Sequence, residues 1–141
     1  MSPQFQPIFA QLRNTLEKHA DSFIVGHDTA DHYGLDAPVG PATIRAWGGK
    51  VKSRTIPVAW VQVSKSYVSY HLMGVYANPR LLDGVSQGLL ARMQGKSCFN
   101  FKAVDEALFQ ELERLTIETL AGMRRAGYIA EQQSPQGGVN K

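Results

Sequence analysis

Val58-Ala59-Trp60-Val61-Gln62-Val63, the turn Ser64-Lys65-Ser66, and Tyr67-Val68-Ser69-Tyr70-His71-Leu72-Met73-Gly74-Val75-Tyr76 together decide the fold. β-Branched and aromatic residues crowd both arms and a small polar turn separates them, so the segment reads as a β-hairpin. Side chains alternate across a strand. The sets Ala59, Val61, Val63 and Val68, Tyr70, Leu72 are mostly apolar, and Phe99 and Phe101 of a later strand, Ser97 to Lys102, match them. These positions are expected to face a helical layer. The complementary set is Val58, Trp60, Gln62, then Tyr67, Ser69, His71, Met73, then Cys98, Asn100, Lys102. That mixture of rings and polar groups is unusual for a plainly wetted sheet face and typical of the lining of a small-molecule pocket.

Working outward, Phe5, Ile8, Phe9, Leu12 and Leu16 recur at steps of three and four, which predicts a first helix from Pro3 to His19 with one apolar stripe. Phe23 to Val25 and His32 to Leu35 read as two short strands around the polar turn Asp28-Thr29-Ala30-Asp31. From Asp36 to Ile56 the density of Pro38, Gly40, Pro41, Gly48 and Gly49 predicts a long irregular connection with a short strand at Ile44 to Trp47. Asn78-Pro79 opens a helix that Gly84 interrupts, and Ser86 caps a second piece running to Met93 with Gly95 as its left-handed stop. Asp105 caps a long last helix with Leu108, Leu112, Leu115, Thr119 and Met123 along one side and Gly127 at its end. Strands are clustered and joined by short turns, so the fold class is α+β. The expected architecture is a two-layer α/β sandwich, a mainly antiparallel sheet of about five strands with the N- and C-terminal helices on one face. Residues 1–130 form one domain, and residues 131–141 are expected to be a flexible tail.

Composition narrows the function classes. With 43% apolar and 19% charged residues the chain can bury a core without a disulfide or structural metal. The lone cysteine, Cys98, cannot form an internal bridge, and the N-terminus lacks the basic start and apolar run of a signal peptide, so a cytoplasmic protein with no membrane partner is expected. A net charge of +3 and a pI near 9.1 give only a small basic surplus. Lys50, Lys52 and Arg54 read as a solvated loop or edge strand, which weighs against nucleic acid as a partner.

Tyr67 to Tyr76, Leu81-Leu82 and Arg92-Met93-Gln94-Gly95-Lys96-Ser97-Cys98-Phe99-Asn100-Phe101-Lys102 resemble a bacterial YdhG-like family, part of a superfamily shared with the YjbR and frataxin-like CyaY proteins. The resemblance runs from about Ile24 to Met123 and is most specific from Gly95 to Phe101. It implies a frataxin-like two-layer sandwich and no reaction. Frataxins carry an acidic ridge on the first helix for iron. Here that helix offers only Glu17 before Asp21, which puts iron binding in doubt.

Three further motifs also have simpler readings. Gly95-Lys96-Ser97 resembles the end of a phosphate-binding loop, but Leu90 stands where a glycine is needed and a strand follows in place of a helix. His27-Asp28-Thr29-Ala30-Asp31-His32 holds enough donors for a divalent metal, yet its spacing fits no zinc framework and a solvated turn explains the aspartates, so no metal site is assigned. Cys98 and His71 could act as nucleophile and base if adjacent strands brought them together, since a thiolate needs a nearby imidazole or positive charge. The reading adopted is a small binding or accessory protein, more a binder than an enzyme, with a small-molecule or partner site on the open sheet face. Arg45, Trp47, Trp60, Tyr67, His71, Cys98 and Asn100 are the candidate binding residues. No cofactor is implied, and the open face is expected to be a pocket, to be covered by the Arg45 to Trp47 loop, or to pair two copies, so the chain is read as a monomer or homodimer.

Overall fold

The computed structural model describes residues 3–130; the expected tail lies outside the described residues. A short 3₁₀ turn, Pro3–Phe5, leads into α1 (Gln6–Glu17), and a second, Ala20–Ser22, leads into β1 (Ile24–Asp28) and β2 (His32–Pro38). Then come α2 (Pro41–Ala46), β3 (Thr55–Val63), β4 (Val68–Leu72), α3 (Met73–Ala77), a 3₁₀ turn (Pro79–Leu82), α4 (Gln87–Leu90), β5 (Met93–Gln94), β6 (Cys98–Phe101) and α5 (Glu106–Ala126). The architecture is α+β. All strand pairs are antiparallel, in the order β1-β2-β3-β4-β6-β5, which gives six strands where about five were expected.

The alternation read from the hairpin sets the two faces. Ala59, Val61, Val68, Tyr70, Leu72, Phe99 and Phe101 are all buried beneath α1 and α5, with Ile8, Leu12, Leu16, Leu112, Leu115 and Leu120 as the helix-side half of the core. Trp60, Tyr67, His71, Cys98 and Asn100 remain partly exposed on the opposite side, and Gln62 and Lys102 are exposed. Val58 departs from the parity: it was expected on the open face and is fully buried. The register explains this, because Leu35 pairs Ala59 while Asp36 pairs Pro57, leaving Val58 as the extra residue of a β-bulge. A bulge reverses the alternation, so Ile56 and Val58 point inward before it, Ala59 and Val61 after it, and Pro57 joins Trp60 on the open face.

Four local expectations are corrected. Ile44 to Trp47 is not a strand: α2 starts at Pro41, which suits the first helical turn, and Gly48 and Gly49 take positive φ just past its end. Residues 73–76 do not continue β4; they form α3, which turns into the helical layer. Gly74 permits this, since a Cβ there would overlap Thr119 Cγ2 and stand 2.9 Å from Met123 Cγ. The Asn78-Pro79 start yields only a 3₁₀ turn, and the Asn78 side chain caps nothing. Ser86 does cap α4 by accepting from the Leu89 amide, but α4 ends at Leu90, and Met93–Gln94 pairs with β6 as an edge strand. Gly95, with φ of 77°, therefore turns a hairpin and does not stop a helix. Asp105 and Gly127 cap α5 as expected.

Candidate functional site

Cross-strand pairing assembles the open face into a row. His27 of β1 pairs Gly34 of β2, Gly34 pairs Trp60 of β3, Trp60 pairs His71 of β4, and His71 pairs Cys98 of β6. The Trp60 and His71 rings stack with centroids 4.4 Å apart and planes within 10°. His27 stacks in the same manner on His32, at 4.0 Å and 9°. Between the two stacks the row passes through a residue with no side chain, Gly34. Over it lies a hollow of about 260 Å³, lined by His27, His32, Gly34, Asp36, Pro57 and Trp60 together with Leu35 and Ala59.

Farther along the row the Cys98 thiol donates to Asn100 Oδ1 at 3.3 Å, and its sulfur lies 3.6 Å from His71 Nε2. A thiol has one proton; with that proton on Asn100, the sulfur receives Nε2–H from a neutral imidazole. Burial pushes the Cys98 thiol up and, with His32 as a lesser positive neighbour, pushes His71 down. Both effects favour a neutral pair over thiolate and imidazolium. His32 is held low first by burial and then by His27. The imidazoles that carry resolved shifts on this face are thus neutral acceptors or donors near pH 7.

Trp60, His71, Cys98 and Asn100 therefore form one chain of contacts. Tyr67 and Asn100 share a second hollow, about 280 Å³, with Arg92, Gln94 and Lys102 beside the β5 edge. Arg45 and Trp47 line neither hollow. Their helix α2 is tied instead to the segment after α5: the Ala42 amide donates to Gly127 O, the Gly40 amide to Tyr128 O, and Thr43 Oγ1 to Tyr128 O at 2.6 Å. Gly34 and Asp36 are not among the candidate residues, and His27 and His32 enter only as donors for a metal that is not assigned. A signal for three of them existed, because His32-Tyr33-Gly34-Leu35-Asp36-Ala37 alternates polar or small with apolar residues, and Tyr33, Leu35 and Ala37 are the buried half.

Among the described residues no group of three His, Cys, Asp or Glu side chains is placed to hold a metal ion. No helix of these residues is long and apolar enough to cross a membrane. The fold and face together define a class, a two-layer α+β sandwich with rings and titratable groups standing on the sheet face opposite its helices. Compared with family models, curated proteins and solved structures, the chain matches none.

Proposed function

We propose that this chain is a small cytosolic binding module whose small-molecule site is the open sheet face, centred on the hollow over Gly34. The observation that carries this is the hollow's construction: two ring stacks stand on either side of a glycine floor, with a carboxylate, Asp36, at one end. Concave sites lined by rings and a few polar groups are where small ligands bind. The resemblance to YdhG-like proteins is compatible with this architecture and adds no reaction to it. A panel of flat heteroaromatic fragments titrated against Trp47→Phe protein, in which Trp60 is the sole indole, tests the proposal. Saturable changes in Trp60 emission are expected; a panel that leaves Trp60 unchanged contradicts it.

A second reading, an enzyme with Cys98 as nucleophile and His71 as base, is favoured by their 3.6 Å contact. Against it stand the upward push on the thiol and the hydrogen bond that ties the thiol to Asn100, when the imidazole is the group that needs orienting. A catalytic thiol should alkylate well below pH 8, whereas a neutral buried one should react only at higher pH.

A further inference from the structure

We infer that the hollow over Gly34 selects a flat ring bearing a cationic or N–H-donating nitrogen group, with Asp36 as its counter-ion. This inference rests on the open-face reading and adds the chemistry of the ligand to it.

Gly34 is the first ground. It is not one of the glycines with positive φ, so its backbone is ordinary strand that any residue adopts. A Cβ there would stand 3.1 Å from Trp60 Cβ and 3.8 Å from His27 Nδ1. A side chain at position 34 would therefore occupy the space between Trp60 and His27, and a flat ring, the shape that already stacks on each of these two residues, is the ligand that suits that space.

The sign of the charge is set by what the carboxylates do. Asp28 is committed to Arg13 at 2.8 Å, and Asp31 accepts from Thr29 Oγ1 at 3.0 Å. Asp36 lines the hollow and is partly buried, and its side chain has no hydrogen bond or ion pair among the described residues. Its carboxyl lies against the backbone of Gly26, the extra residue of the β1 bulge, where a Cβ would overlap it. Gly26 thereby makes room for a carboxylate that nothing in the described chain neutralises. Arg13 is engaged by Asp28 and Glu17, and no Lys or Arg lines the hollow, so an anionic ligand meets the Asp36 carboxylate there without a Lys or Arg to offset it. A donor on the ligand gains a charge-assisted hydrogen bond, and the face of Trp60 favours positive charge.

The test uses three flat probes of the same shape: benzamidine, benzamide and benzoate. Titrated into the full chain near pH 7.5 and followed by Trp60 emission in the Trp47→Phe background, benzamidine should bind about tenfold or more tightly than benzoate, with benzamide between them. Asp36→Asn should collapse that order, and Gly34→Ala should weaken all three while circular dichroism and melting temperature show a folded chain. If Gly34→Ala fails to fold, Asp36→Asn alone decides the inference. Equal binding of the three probes would overturn the charge selection and leave the open-face site standing. Binding that Gly34→Ala does not touch in a folded chain would overturn the slot. No binding of any probe, with a flat fragment of the wider panel still perturbing Trp60, would also overturn the inference; silence from both would remove the open-face reading itself.

Discussion

The two faces of the sheet are built from the same strands and obey different rules. On the helix face, Tyr70, Phe99 and Phe101 are sealed, and the one polar group among them is paired: Thr116 Oγ1 donates to Leu112 O at 2.8 Å, which leaves the Tyr70 hydroxyl to donate to Thr116 at 2.6 Å. Burial raises the Tyr70 phenol beyond its ordinary range, so it stays protonated. On the open face the rings are stacked yet reachable, and the Asp36 carboxylate at one end of the hollow has no partner among the described residues. The comparison teaches that one face stores stability and the other keeps polar groups in reserve.

The largest expected effect lies on the sealed face. Phe99→Ala should destabilise by about 3 to 5 kcal/mol, because it leaves a cavity between β4, β6 and the helices. Trp60→Leu, two strands away on the open face, should cost about 1 kcal/mol despite altering a larger side chain. Denaturant midpoints of both variants check the contrast, and equal losses would mean that the two faces do not differ as described. An effect well below that of Phe99→Ala is expected for Tyr70→Phe, which removes the buried hydroxyl from Thr116 and should cost about 1 kcal/mol by the same measurement.

The smallest effect is in pH dependence. His32 and His71 on the open face, and His19 near Glu113, Arg124 and Lys18, are held below their ordinary value, with burial the leading cause in each. The folded chain then binds fewer protons than the unfolded chain, so stability is level above about pH 6.5 and falls as pH drops below it. His71→Gln should flatten part of that slope when melting temperature is followed from pH 7.5 to 5. An unchanged slope would place the titration elsewhere.

How much of this was legible in the sequence depends on what sets each feature. Alternation in Ala59 to Leu72 and in Phe99 to Phe101 gave the core face, because burial of apolar side chains is a local pattern. Ser86, Asp105 and Gly127 were readable as caps, since a cap is fixed by the chemistry of one or two residues. The Leu35–Ala59 bulge was not, because the register of two strands decides which residue is extra, and so Val58 was placed on the wrong side. The end of β4 at Leu72 was hidden for a similar reason: α3 exists where Gly74 meets Thr119 and Met123, residues more than forty positions away. In the site, Trp60, His71, Cys98 and Asn100 followed from parity alone. Gly34 and Asp36 needed the same parity applied to β2, and their meeting with His27 needed the β1 register.

The most direct test of the account is to map where a flat cationic probe lands. Amide and indole proton–nitrogen NMR spectra of the labelled chain titrated with benzamidine should shift at Gly34, Asp36 and the Trp60 indole. Phe99, Leu112 and the smaller hollow between α3 and α5, lined by Gly74, Thr119 and Gly122, should stay unmoved. Shifts confined to that helix-side hollow, with Gly34 and Trp60 silent, would contradict the assignment of the open face as the binding face.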